Sequence, residues 1–109
     1  MIDLYFAYGS NMSSLRLRAR IASARPRAVA RLPGHALLTN KRGKDGSGKA
    51  NLVPHAARAG WGVLFEIART DWEPLDRFEW GYARHACAVE TVSGEALEAQ
   101  VYFAIAPSD

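Results

Sequence analysis

The hydrophobic pattern of the N-terminal segment changes period at one point, and that point is Tyr8-Gly9-Ser10-Asn11. Ahead of it, Ile2-Asp3-Leu4-Tyr5-Phe6-Ala7 is an apolar run of strand length. Behind it, Ser13-Ser14-Leu15-Arg16-Leu17-Arg18-Ala19-Arg20-Ile21 has the spacing of a basic amphipathic helix. A buried strand that feeds straight into a helix has room only for a tight turn, and Gly9 lets the backbone make one. Ser10, Asn11 and Ser13 are residue types that cap helix N-termini. The turn should therefore present free backbone N–H groups at the positive end of a helix. Such a place can hold a carboxylate, a phosphate or a developing oxyanion. An ordinary capped strand-to-helix turn uses the same residues, so the four residues alone do not choose between structure and binding.

A chain of 109 residues predicts one domain. Hydrophobic content of 49% with 23% charged residues is that of a soluble globular protein able to bury a core. No apolar run approaches the ~20 residues that span a bilayer, and no basic leader precedes an apolar stretch, so neither a membrane span nor a signal peptide is expected. The single cysteine, Cys87, excludes an internal disulfide and suits a reducing compartment, with the cytoplasm as the expected location. Net charge is +3. Much of the positive charge lies between Arg16 and Lys49, and most acids follow Glu66. A basic module acting on an anionic partner is one reading of that asymmetry. The basic segment carries no interleaved aromatics, so a stacking surface for nucleic acid is not expected.

Downstream, Ala28–Leu32 reads as a strand that bends at Pro33-Gly34 and continues through His35–Thr39. Lys41–Lys49, glycine-rich and polar, reads as a mobile surface loop. Ala50–Pro54 reads as a short strand, stopped or placed at an edge by Pro54, and Arg58-Ala59-Gly60 as a turn. Trp61–Ala68 is the strongest strand signal, with Gly62 a place for close backbone approach. Thr70-Asp71-Trp72-Glu73-Pro74 opens a short helix whose Trp72, Leu75 and Phe78 recur at core-facing spacing, and Gly81 ends it. Strands near Arg84–Val92 and Leu97–Ile105 follow, joined by a hairpin turn at Ser93-Gly94. Strands outnumber helices and nothing separates domains. The expectation is one α+β domain, residues 1–109, built on a small curved or closed mixed β-barrel with flanking short helices.

Among the polar residues, Glu79 breaks a local rule. It ends its helix, where the dipole disfavours negative charge, and it lies beside Leu75 and Phe78. The dipole, the apolar neighbours and partial burial would all raise a carboxyl pKa, as a general acid/base near neutral pH requires. The plain alternative is a surface glutamate paired with Arg77, Arg84 or another base. Gly43–Ala50 nearly matches a phosphate-binding loop, but Ala50 stands where a magnesium-holding Ser or Thr belongs, and the chain beyond reads extended. Nucleotide binding is not expected. His35, His55 and His85 lie in separate segments and form no metal pair, and Cys87 has no visible activator.

Together these stretches resemble the gamma-glutamylcyclotransferase-like family. Tyr5–Asn11 is similar to its N-terminal signature, Trp61–Ile67 to its central strand, Leu75–Glu79 to the segment carrying its acid/base glutamate, and Ala99–Phe103 to its late strand. The order and gaps agree over nearly the whole chain. The resemblance implies a turn at Tyr8, Gly9, Ser10 and Asn11 that binds the γ-glutamyl end of a small-molecule substrate. It also implies catalytic proton handling by Glu79, release of 5-oxoproline and a free amine or amino acid, and no metal or organic cofactor. Glutathione metabolism is the associated setting. A ligand-binding or regulatory domain of the same fold is the alternative. Two departures are visible. Trp80 follows the glutamate where the family often has glycine, and the chain stops at Asp109 where members commonly continue into a C-terminal helical segment. A homodimer is one way such an exposed surface would be covered.

Overall fold

The computed structural model describes residues 1–12, 14–42 and 48–105. In chain order these form β1 (Ile2–Ala7), a 3-10 turn (Gly9–Met12), α1 (Ser14–Arg20), β2 (Arg25–Arg42) and β3 (Gly48–Ala68). A second 3-10 turn (Arg69–Asp71), α2 (Trp72–Phe78), β4 (Tyr82–Thr91) and β5 (Ala96–Ala104) follow. The strands close into a barrel in the order β1-β3-β2-β4-β5. All neighbours are antiparallel except β5 and β1, which close the ring in parallel at Tyr5 and Gln100. The expected small mixed barrel with flanking short helices is the observed architecture.

Strand alternation explains why both faces of this sheet carry apolar side chains. Phe6, Ala30, Leu32, Leu52, Leu64, Val89, Ala99 and Val101 form one buried cluster drawn from all five strands and from no helix. This is the barrel interior. Tyr5, Ala7, Phe65, Ile67 and Tyr102 point the other way and pack under Leu17 and Ile21 of the α1 region and Trp72 and Leu75 of α2. Each helix contributes a narrow apolar stripe and leaves its charges outside, as the amphipathic pattern of α1 predicts. Among the described residues, no helix is long and apolar enough to cross a membrane.

Close packing sets the shape of β3. A Cβ on Gly62 would lie 2.4 Å from the Ala7 carbonyl oxygen, so glycine is what lets β1 and β3 approach here. A Cβ on Gly60 would lie 2.3 Å from Leu52 Cδ2. Two expectations change in this region. Pro54 does not stop the strand, and Arg58–Gly60 is not a turn between two strands: β3 runs unbroken for 21 residues. Between the pairs Pro33–Ala59 and His35–Pro54, Gly34 alone opposes His55–Arg58, so the chain bends through a bulge within a continuous strand. β1 pairs with β3 only from Val63 to Ala68, so among the described residues Pro54 lies where β3 has a partner on one side alone, as an edge position requires.

Phe78 also departs from expectation. It is 56% exposed rather than in the core, and the Arg20 guanidinium lies 5.4 Å from its ring centre. The segment expected as a Lys41–Lys49 loop is partly strand: Lys41 pairs with Lys49 and Arg42 with Gly48, while residues 43–47 lie outside the described ones. The Ser93-Gly94 hairpin turn is observed, held by Gly94 N–H to the Thr91 carbonyl at 2.9 Å and Glu95 N–H to Thr91 Oγ1 at 3.1 Å.

Candidate active site

The site begins where β1 ends. β1 separates β3 from β5, and past Ala7 those two strands face each other with no ladder between them. Two side chains bridge the gap. The Tyr8 hydroxyl donates to the Tyr102 carbonyl, and the Leu52 backbone amide faces the same phenolic oxygen. Asn51 Oδ1 accepts from the Ala104 backbone N–H at 3.0 Å. Gly9 follows at φ +68°, a left-handed conformation natural to glycine, and opens the 3-10 turn containing Ser10 and Asn11. The side chains of Ser10 and Asn11 lie outside the described ones.

α2 brings Glu79 to the same end. Its last hydrogen bond runs from Glu79 N–H to the Leu75 carbonyl at 3.0 Å. The chain then turns at once, with Tyr82 N–H on the Glu79 carbonyl at 3.0 Å and Gly81 at φ +87°. Positive φ at the third position of such a turn requires glycine. This gives the displaced glycine its role: Trp80 occupies the second turn position, and Gly81 supplies the reversal one residue later. The Gly81 carbonyl accepts from Ile105 N–H at 3.0 Å, tying the turn to the end of β5.

Glu79 is half-buried, and its charge acts on two tyrosines. Tyr82 is pushed up to about 12 by burial and then by Glu79. Burial, Tyr82 and Glu79, in that order, push Tyr8 well above the usual phenol range. One carboxylate and two phenols, drawn from the turn between α2 and β4 and from the end of β1, thus share one electrostatic neighbourhood. The first two were candidates from sequence. Tyr82 was not, because nothing in local spacing announces its proximity to a residue near the other end of the chain. Arg77 and Arg84, named above as partners that would neutralise Glu79, are held by Glu73 at 3.1 Å and by Asp76 at 3.0 Å.

A second set of polar contacts fixes α2 against the sheet. The Tyr102 hydroxyl donates to Asp76 Oδ1, and Arg84 grips both Asp76 oxygens at 3.0 and 3.2 Å. The Arg84 guanidinium lies 4.4 Å over the Trp72 ring, and Trp72 Nε1–H donates to Asp3 Oδ2 at 2.8 Å. Hydrogen bonds from Arg69 and then Trp72 hold the Asp3 carboxyl below its usual range. Tyr102 is thus shared: its carbonyl accepts the hydrogen bond from Tyr8, and its hydroxyl anchors the helix that Glu79 caps.

The other candidates fall elsewhere. His35 and His85 flank the Phe103 ring at 5.6 and 6.0 Å between ring centres, and His55 is exposed. Among the described residues, no group of three or more His, Cys, Asp or Glu is placed to hold a metal ion. Cys87 is half-buried, and burial pushes its thiol up. Chemically, the cluster combines a carboxylate able to take a proton with phenols that stay protonated at neutral pH.

Comparison with known proteins agrees with the fold. The family model for gamma-glutamyl cyclotransferase, AIG2-like proteins matches residues 5–109. No curated protein matches the chain in sequence. Among solved structures, one described as gamma-glutamyl cyclotransferase superimposes with a TM-score of 0.91 at 25% identity, covering 99% of this chain and 69% of its own. An uncharacterised protein from Homo sapiens gives 0.87 at 26% identity, covering 98% and 69%. An AIG2-like protein from Mus musculus shares the fold, with a TM-score of 0.75 at 18% identity, covering 95% and 78%. This chain belongs to the gamma-glutamyl cyclotransferase, AIG2-like family.

Proposed function

We propose that this protein is a cyclotransferase that converts a γ-glutamyl amine or amino acid into 5-oxoproline and the free amine, with Glu79 as general base and then general acid. The observation that carries the reading is the shared neighbourhood of Glu79 and Tyr8, beside the Gly9 turn, in a chain of this family. The substrate holds its own nucleophile. Folding the γ-glutamyl chain so that its α-amine meets its γ-carbonyl makes attack intramolecular, and positioning of this kind lowers a barrier by several kcal/mol. The α-ammonium must first lose a proton, which Glu79 takes. A carbon–nitrogen bond forms as the carbonyl electrons move to oxygen. When they return, the bond to the original amide nitrogen breaks, Glu79 delivers the first proton to that leaving nitrogen, and the new ring nitrogen gives up its second proton, which the released amine takes up to leave as an ammonium. Backbone N–H groups of the Tyr8–Asn11 turn supply donors for the α-carboxylate or the oxyanion.

The test is a turnover screen of γ-glutamyl amino acids and γ-glutamyl amines, reading out 5-oxoproline. Glu79→Gln keeps the size of the side chain and cannot take the ammonium proton at neutral pH. It should lower kcat by ~100- to 10,000-fold while leaving substrate binding nearly unchanged. A folded Glu79→Gln protein with near wild-type turnover would move the proton shuttle to another residue. No turnover of any γ-glutamyl compound by the wild type would favour a ligand-binding domain of the same fold.

A further inference from the structure

Asn51 is only 3% exposed, yet among the described residues only one end of its amide is bonded. Its oxygen is identified by chemistry: the atom facing the Ala104 N–H must be an acceptor, so it is Oδ1, at 3.0 Å. The remaining end is Nδ2, which carries two donor hydrogens. Among the described residues, Nδ2 makes no hydrogen bond. A buried amide donor without a partner is costly, and native structures rarely tolerate one without reason.

The surroundings of Asn51 are those of the candidate site. Its neighbour Leu52 presents its backbone amide to the Tyr8 oxygen. Ala104, which Asn51 holds, is the direct cross-strand partner of Tyr82. Ile105, the next residue, holds the Gly81 carbonyl of the turn that sets Glu79. Asn51 is thus bonded into the ring of backbone that carries Tyr8, Glu79 and Tyr82, and among the described residues its two remaining donors have no protein acceptor.

We infer that the Asn51 Nδ2 amide binds an acceptor oxygen, carboxylate or carbonyl, at the γ-glutamyl end of the ligand, and that occupancy of the site satisfies this buried donor. The inference rests on the γ-glutamyl reading above and adds a specificity residue to it. It also gives the 51–52 segment of β3 a double use. One side chain oxygen ties the barrel shut, and the nitrogen of the same amide reads the ligand. A buried water would satisfy the same hydrogens, but it would not make them respond to ligand.

The probe is 5-oxoproline, added to the uniformly 15N-labelled protein. The Asn51 side-chain NH2 pair, assigned by its disappearance in Asn51→Asp, should shift on titration. Asn51→Asp keeps an acceptor for Ala104 N–H and replaces the donor with negative charge. It should bind 5-oxoproline at least about tenfold more weakly, and raise KM for an accepted γ-glutamyl substrate by a similar factor. Should Asn51→Asp not fold, the wild-type NH2 shift decides, with Asn51→Leu as the second variant. 2-Pyrrolidinone, which lacks the carboxylate, identifies the oxygen: a pair that also follows it holds the lactam carbonyl, and one that responds to 5-oxoproline alone holds the carboxylate. An unmoved NH2 pair with unchanged affinity in Asn51→Asp, while Glu79→Gln still abolishes turnover, overturns the Asn51 role and leaves the enzyme reading intact. A wild type that neither binds 5-oxoproline nor turns over any γ-glutamyl compound overturns both.

Discussion

The two faces of the barrel sheet are buried by different chemistry. The interior is filled by Phe6, Leu64, Val89, Val101 and their neighbours, all apolar. The face under the helices is aromatic, with Tyr5, Trp72 and Tyr102 meeting edge-on or tilted at 5.7 to 6.4 Å, and it is wired to charges at its margin through Asp3, Asp76 and Arg84. Apolar packing holds atoms together without fixing orientation sharply, whereas hydrogen bonds and a bidentate arginine fix both distance and angle. The interior therefore supplies stability, and the helix face supplies the aim of α2 and hence of Glu79.

That contrast can be broken by substitution. Phe6→Ala empties the barrel interior and should cost about 3–5 kcal/mol in denaturant unfolding, while kcat per folded molecule stays within a few-fold of wild type. Tyr102→Phe removes one hydroxyl from the helix face and leaves the carbonyl that holds Tyr8. It should cost only about 1 kcal/mol, yet lower kcat several-fold, since Asp76 lies three residues before Glu79 on α2. If the larger stability loss also brought the larger loss of kcat, the division between the two faces would fail. Simultaneous denaturation and initial-rate measurements on both variants settle it.

An alkaline titration sharpens the same contrast with a smaller effect. Burial and then Glu79 push the Tyr82 phenol up to about 12 in the folded chain, against ~10 for an unfolded tyrosine. The folded state thus keeps a proton that the unfolded state gives up. The Tyr82 contribution to stability is complete below pH ~10 and is lost as pH rises toward about 12. Tyr8 and Tyr102 are shifted in the same direction and extend the decline. Unfolding midpoints measured across this range should fall, and Tyr82→Phe should flatten the first part of the fall. The smallest expected effect is Arg77→Ala. Its partner Glu73 is exposed and one helical turn away, so neither the unfolding midpoint nor kcat should move measurably.

Much of the fold is visible in residue patterns, and what is hidden has physical causes. The strand Ile2–Ala7, the helix behind it and the Ser93-Gly94 turn are local: each depends on a period or a turn residue within a few positions. The continuity of β3 is not local. Pro54 and Gly60 look like breaks, and only the absence of a second neighbour beside Pro54 and the contact of Gly60 with Leu52 make them compatible with one strand. Phe78 misleads because a seven-residue helix has too few turns for spacing to define its buried side, and Arg20 covers what the core does not. Within the candidate site, Glu79 and the Tyr8–Asn11 turn are marked by local features, a charge at a helix end and a glycine turn with capping residues. Tyr82 and Asn51 look ordinary until the barrel closes and brings Tyr82 near Tyr8 and Asn51 to Ala104.

The hydrogen bond from Tyr8 to Tyr102 joins residues 94 positions apart, and the parallel contact of β1 with β5 spans a similar length. The entropy of closing so large a loop must be met before either contact gives anything back. Ring closure therefore belongs late in folding, after the antiparallel hairpins β2–β3 and β4–β5, whose contacts are nearer in sequence. A chain halted before that step would hold most of its secondary structure and much of its apolar burial, yet Tyr8 would not have met Tyr102. In a refolding experiment, ligand recognition should recover with the slowest phase, later than far-ultraviolet circular dichroism.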